Sequence, residues 1–273
     1  MKRPSVDLAL AAESFRRDGY ARLGRLLDDV TLASLRRRSD ALMLGEIVHE
    51  GMFFQHDSAT GRYEDLDYKR GYVGPSLGYR KLEKLELDPV FRAHIDHPRF
   101  ARVVRRFIDG PIAIYRATLF NKSATGGSPL PWHQDGGTYW GIEPAPFLQV
   151  WTALDDCGLD AGCLEVVAGS HAGGLVSPLG GVIQHPVERL EGQVITPLPA
   201  EAGEVMLIHN DLWHCAGVNR SGRPRRTISV CYMTATTRCL RTRRAPRQFY
   251  RAFQEAPGPA ARDHVDVVSD RRG

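Results

Sequence analysis

Within PWHQDGGTYW (residues 131–140), His133 and Asp135 stand two positions apart. Side chains alternate along an extended strand, so residues i and i+2 share a face and both can reach one ion. A third ligand must come from elsewhere, and EVMLIHNDLWHCAGVNRSGRPRRTIS supplies His209 and His214 about eighty residues on. Two imidazoles and one carboxylate leave octahedral positions open, the ligand set of non-haem Fe(II) oxygenases. A structural zinc site would close four ligands and draw on cysteine. His209 precedes His214 by five residues, which puts it on the opposite face of an extended strand and favours His214. Eleven residues beyond His214, Arg225 opens RRTISVCYM. There Arg225, Thr227, Ser229 and Cys231 share one face, and Arg226, Ile228, Val230 and Tyr232 the other. The first face is polar enough to line a site, and the planar guanidinium suits bidentate capture of a carboxylate.

The elements that must hold these residues follow from periodicity. Leu8, Ala11, Ala12 and Phe15 fall at helical spacing after Ser5, with Gly19 as a stop. DDVTLASLRRRSDALMLG predicts a second helix, capped by Asp28 or Asp29, with Leu32, Leu35 and Leu42 inward. Two short helices are expected in 88–108, ended by Gly110. From Pro111 short strands take over: IAIYRATLF, FLQVWTAL, GCLEVVAG, EVMLIHN and RRTISVCYM. In FLQVWTAL, Leu148, Val150 and Leu154 face one way and Gln149 and Trp151 the other, which suits a barrel or sandwich whose interior holds a site. The stretch 49–80 is polar-aromatic and aperiodic, as a lid, a binding loop or a disordered segment would be. The tail after about 255 reads as frayed.

Composition excludes several classes. No run of 18 or more apolar residues exists, so no membrane span is expected, and the charged N-terminal stretch reads as an amphipathic helix instead of a signal peptide. The five cysteines include no CxxC, which argues against a disulfide framework and for a cytoplasmic protein. Arginine outnumbers lysine 31 to 5, yet the net charge is only +4 and no nucleic-acid motif interleaves the arginines of TRCLRTRRAPRQFYR. A small-molecule partner is expected, with neither nucleic acid nor membrane.

These motifs together resemble the phytanoyl-CoA dioxygenase (PhyH) superfamily of Fe(II)/2-oxoglutarate oxygenases. WHQD resembles its first ligand motif, with His133 and Asp135 in the ligand positions. VWTALDDCGLDAGCLEVVAGSHAGG resembles its central stretch, where Trp151 matches a tryptophan beside the cosubstrate. HCAGVNRSGRPRR resembles its distal segment, which carries His214 over as third ligand and Arg225 as the 2-oxoglutarate anchor. SFRRDGYARLGRLLDDVTLASLRR resembles the opening helix–strand–helix, so the likeness covers most of 14–235. It departs at Ala168, where proline is usual, and at Ala216, where a serine often contacts the cosubstrate; Tyr115 or Arg116 is the expected substitute. Lys122 matches a recurrent lysine before the first ligand.

The resemblance implies a mainly β fold with flanking helices around a double-stranded β-helix (jelly-roll, cupin-like) core. It implies one oxygenase domain over 1–273: helical support and lid loop in 1–110, jelly-roll core in 111–240, and a C-terminal extension in 241–273. It implies Fe(II), O2 and 2-oxoglutarate as cofactors and cosubstrates, with succinate and carbon dioxide released as an unactivated C–H bond is oxidised. Halogenases of the lineage carry a small residue in place of Asp135, so hydroxylation or a related oxidation is expected, in natural-product tailoring. Substrate-facing candidates are Lys122, Tyr139, Trp140 and the arginines Arg238, Arg241, Arg243 and Arg244. His171, in the turn AGSH, reads as structural and Cys215 as core. Two other readings remain: a cupin-like metalloenzyme that does not use 2-oxoglutarate, and a non-catalytic barrel that binds a ligand.

Overall fold

A computed structural model describes residues 5–124, 126–242, 247–254 and 264–268. The chain opens with β1 (Ser5–Asp7), α1 (Leu8–Asp18), β2 (Tyr20–Arg25) and α2 (Asp29–Met43). Next come β3 (Phe53–His56), β4 (Tyr79–Glu83), α3 (Pro89–Ile95) and α4 (Pro98–Val104). The strand-rich part holds β5 (Ile112–Lys122), β6 (Leu130–Gln134), β7 (Ile142–Glu143), β8 (Leu148–Ala153), β9 (Leu164–Val167) and β10 (Gly181–Val182). It continues through α5 (Pro186–Leu190), β11 (Ile195–Leu198), β12 (Glu204–His209), β13 (His214–Ala216) and β14 (Arg225–Thr234). Three short strands close it: β15 (Arg238–Cys239), β16 (Arg251–Ala252) and β17 (His264–Asp266).

The larger sheet runs β2-β12-β8-β14-β5-β4-β3, with β16 on β5, and the smaller runs β10-β6-β13-β9-β11. All pairings are antiparallel and many neighbours are distant in sequence, the crossover pattern of a jelly roll. One core lies between the outer face of the larger sheet and the helices. Leu148, Val150, Ile228, Val230 and Tyr232 meet Leu32, Phe91 and Phe100 there, and each such side chain contributes roughly 1.5–3 kcal/mol. A second cluster, including Trp151, Leu164, Val166, Met206 and Ile208, fills one end of the space between the sheets.

Local signals explain the supporting helices. Asp7, and not Ser5, caps α1: its carboxylate accepts from the amides of Ala9 and Leu10, and Gly19 ends the helix at φ 79°. Asp28 caps α2 through the Thr31 amide, and Leu32, Leu35 and Leu42 are buried as the spacing predicts.

Three expectations change. Within 49–80, β3 pairs with β4 and buries Phe54 and Tyr79, so part of the stretch is sheet; between the strands Tyr63–Asp65 forms a single 3-10 turn. The pattern hides because consecutive aromatic residues obscure the alternation. The tail does not fray throughout: β17 pairs with β1 and buries Val265, while 255–263 and 269–273 lie outside the described residues. Cys215 points away from the barrel interior but is only half-buried, its Sγ facing Glu165 at 3.7 Å.

Two bulges aim side chains at the interior. Across β5 and β14, Cys231 pairs with Arg116 but Tyr232 with Ile114, which leaves Tyr115 as an extra residue. Across β3 and β4, Gln55 pairs with Lys81 but His56 with Tyr79, which leaves Arg80 extra. A bulge breaks the period of two, so Tyr115 and Arg116 both turn inward and Arg80 joins Lys81 on the inner side.

Candidate metal centre

β6 and β13 lie side by side with His133 directly opposite His214, and their rings come to 4.0 Å between centroids. Asp135 follows the end of β6, where the amides of Asp135 and Gly136 both donate to the Asn210 carbonyl. One donor atom from each of His133, Asp135 and His214 lies within 4.8 Å of the others. His133 Nδ1 faces the Pro131 carbonyl at 2.9 Å and His214 Nδ1 the Leu212 carbonyl at 2.8 Å. Those carbonyls can only accept, so each Nδ1 carries the proton and each Nε2 turns a lone pair toward Asp135. Burial, with His214 alongside, lowers the His133 pKa to about 3 and keeps its ring neutral.

Asp135 is held on every side. Its Oδ1 accepts from Arg116 Nη2 at 2.5 Å and its Oδ2 from Gln149 Nε2 at 2.7 Å; Ser229 Oγ donates in turn to Gln149 Oε1. Trp140 Nε1 donates to the Asp135 carbonyl at 2.7 Å. Burial alone would raise the carboxyl pKa, but the Arg116 guanidinium holds it well below the usual carboxylate range. Two imidazoles and one ionised carboxylate, with no fourth ligand grouped with them among the described residues, fit Fe(II) with open positions. The following Gly137, at φ 128°, admits no side chain: a Cβ would stand 2.2 Å from the Leu179 carbonyl oxygen.

The same cavity is lined by Trp151, Arg225, Thr227 and Ser229. Arg225 is 3 % exposed and donates from Nη2 to the Gly162 carbonyl at 2.6 Å, while its Nε is buried with no partner. Thr227 Oγ1, on the same face, is also buried and unpartnered. A carboxylate in this cavity would satisfy both donors.

Other sequence candidates fall elsewhere. Tyr115 and Arg116 do not line the cavity: Arg116 is committed to Asp135, and Tyr115 packs on Trp140 with ring centroids 5.3 Å apart. Thr227 is better placed than either to replace the hydroxyl missing at Ala216. Lys122 does line the cavity, but its ammonium donates to the carbonyls of Ser128, Ala216 and Gly217, so no N–H remains for a substrate. Burial, with Arg225 and Arg80 nearby, lowers its pKa to about 7.

Tyr139 is 63 % exposed and capped by Arg241; Trp140 supports Asp135 from below. His209 packs among Phe15, Phe147 and His171, away from the triad, and His171 Nε2 meets the Arg16 carbonyl at 3.1 Å. Arg238 sits 3.9 Å from Glu143 at the surface, and Arg243 and Arg244 lie outside the described residues. Two site residues carried no assigned role in the sequence: Gln149, whose signal was a lone amide in an apolar strand, and Arg80, hidden by its bulge.

A double-stranded β-helix with a two-histidine, one-carboxylate centre defines a class of metalloenzyme folds, and comparison with known proteins narrows it. The profile of the phytanoyl-CoA dioxygenase (PhyH) family matches residues 15–227, and the chain belongs to that family. Mouse phytanoyl-CoA dioxygenase domain-containing protein 1 is 30% identical over 162 residues, 54% of each chain. The zebrafish (Danio rerio) protein of that name is 23% identical over 287 residues, 91% of this chain and 96% of its own. The mouse, bovine and Arabidopsis matches thus span about half the length of those relatives.

Among solved structures, the non-heme alpha ketoglutarate dependent epimerase SnoN from nogalamycin biosynthesis aligns with a TM-score of 0.66 at 22% identity, over 97% of this chain and 96% of its own. EctD from S. alaskensis, with 2-oxoglutarate and 5-hydroxyectoine, gives 0.65 at 19% identity over 94% and 86%. Such distant likenesses establish the jelly-roll fold. Among the described residues no helix is long and apolar enough to cross a membrane.

Proposed function

We propose that this protein is an Fe(II)- and 2-oxoglutarate-dependent oxygenase that hydroxylates an unactivated C–H bond of a small molecule. The observation that carries the reading is the pairing, in one cavity, of the His133–Asp135–His214 triad with the buried and unsatisfied Nε of Arg225. Fe(II) held by the triad would couple the oxidative decarboxylation of 2-oxoglutarate, to succinate and carbon dioxide, to oxidation of the substrate.

The chain's own residues do the positioning. His133 and His214 present Nε2 because their Nδ1 protons are engaged by backbone carbonyls. Arg116 and Gln149 fix the Asp135 carboxylate, and Arg225 with Thr227 receives the distal carboxylate of the cosubstrate against Trp151. A carboxylate at position 135 leaves no room for halide among the ligands, which favours hydroxylation over halogenation. Solved relatives of this fold include an epimerase and a carbocyclase from nogalamycin biosynthesis, which supports a role in tailoring a natural product.

Anaerobic addition of Fe(II) and 2-oxoglutarate is expected to produce the weak visible charge-transfer band of the chelate, and oxygen should then release succinate. Absence of both the band and succinate would overturn the reading.

A further inference from the structure

Among the described residues, Arg80 is the one cationic side chain lining the cavity that the assignments above leave without a role. It is 7 % exposed, and among the described residues its only hydrogen bond runs from Nη1 to Gln55 Oε1 at 3.2 Å, a neutral amide. The Tyr63 ring lies over its guanidinium at 5.5 Å. No ion pair forms to Arg80 among the described residues, although Asp57 is near enough to be felt. Asp57 is engaged otherwise: its carboxylate accepts from the Ser58 amide at 2.9 Å, the Ser128 amide at 2.9 Å and the Ser128 hydroxyl at 2.5 Å.

The other cations are all accounted for. Arg116 neutralises Asp135, Lys122 is saturated by three carbonyls, and Arg225 awaits the cosubstrate. A buried cation with no counter-ion costs several kcal/mol, and an apolar residue would pack the same space better. The chain nevertheless spends a β-bulge to turn this arginine inward.

The surroundings indicate what the arginine meets. Tyr63 belongs to the turn between β3 and β4, and its hydroxyl accepts from Tyr68 at 3.1 Å. Arg80 and the triad line one cavity, and the Tyr63 ring lies against Arg80. A molecule anchored on Arg80 within that cavity therefore lies beside the metal ligands.

We propose that Arg80 is the recognition site for an oxyanion, carboxylate or phosphate, carried by the substrate. This rests on the oxygenase reading, because 2-oxoglutarate must first occupy Arg225 for Arg80 to be the remaining anion site. Planar guanidinium donors suit either oxyanion, and the two are separated by the choice of probe.

The test uses the full chain with Fe(II) and saturating 2-oxoglutarate under anaerobic conditions. Probes are matched pairs: linear monocarboxylates from acetate to decanoate against their amides, and alkyl phosphates against the parent alcohols. Binding is read as a rise in melting temperature and as a perturbation of the charge-transfer band. The acids of one series are expected to bind the wild type and the neutral members not; whichever series binds identifies the oxyanion. Arg80→Met should weaken that binding by about tenfold or more, the loss of one charge-assisted contact, and Arg80→Lys should restore part of it.

Two controls keep the outcomes distinct. Arg80→Met should keep the 2-oxoglutarate affinity of the wild type, whereas Arg225→Met should lose it. It should also melt no lower than the wild type, because it removes an unpaired buried charge. The proposal is overturned if Arg80→Met weakens 2-oxoglutarate as Arg225→Met does, if neutral probes bind as well as charged ones, or if no probe binds the wild type. Absence of the charge-transfer band in the wild type would instead defeat the oxygenase reading itself.

Discussion

Arg225 and Arg226 are neighbours on β14 and chemically identical, yet they live in opposite worlds. Arg226 faces outward and is saturated: Nε and Nη2 reach Asp155 at 2.8 and 3.2 Å, and Nη1 reaches Asp40 at 2.7 Å and the Arg36 carbonyl at 3.5 Å. Those contacts tie the sheet to α2. Arg225 faces inward, makes one bond to a carbonyl and keeps Nε unpaired. One peptide of alternation separates a fastening from a ligand site. Satisfaction of hydrogen-bonding capacity, more than burial, tells these two arginines apart: both are buried.

The comparison can be broken most sharply at Arg225. Arg225→Met should raise the 2-oxoglutarate dissociation constant about a hundredfold, the worth of roughly 3 kcal/mol of charge-assisted bonding. Its melting temperature should stay that of the wild type; a large drop would show Arg225 to be structural after all. Arg116→Met extends the test to the arginine that holds the metal ligand. Fe(II) affinity is expected to fall about ten- to a hundredfold, with partial recovery in Arg116→Lys, measured by competition with a chelator. An unchanged affinity would separate Arg116 from the centre.

Arg226→Met should do the opposite of Arg225→Met. It removes the guanidinium from Asp40 and from Asp155, which keeps its ion pair to Arg36 at 3.0 Å, so a loss of about 2 kcal/mol in thermal or urea unfolding is expected, with 2-oxoglutarate affinity preserved. The smallest effect comes from the helical layer behind that outer face. His94 is buried edge-on against Phe100, with neither ring nitrogen partnered, and burial lowers its pKa to about 3. Between about pH 6.5 and that value the unfolded chain binds a proton that the folded chain does not, so stability falls as pH drops through this window. His94→Phe should therefore flatten the acid limb of a stability-against-pH curve and gain about 1 kcal/mol at neutral pH. An unchanged limb would mean that other groups govern acid unfolding.

Much of this was legible beforehand. Alternation in FLQVWTAL and RRTISVCYM separated the apolar outer side chains from Trp151, Gln149 and Arg225, and His133 with Asp135 could be read as a ligand pair at i and i+2. The caps at Asp28 and Gly19 were equally plain. What was not legible shares one cause. Arg116 lies on Asp135, and Arg80 in the cavity, because bulges shift the register of β5 against β14 and of β4 against β3. Lys122 is unavailable to a substrate because three carbonyls from other segments close around it. The far tail is ordered at Val265 because β1 offers it an edge.

By itself, then, the sequence determined the ligand types, the faces of regular strands and the helix ends, since these follow from backbone sterics within a few residues. Only the tertiary structure decided where alternation breaks and which buried donors go unanswered. Both depend on registers and acceptors supplied by strands far away in the chain, and the unanswered Nε is what distinguishes Arg225 from Arg226 beside it.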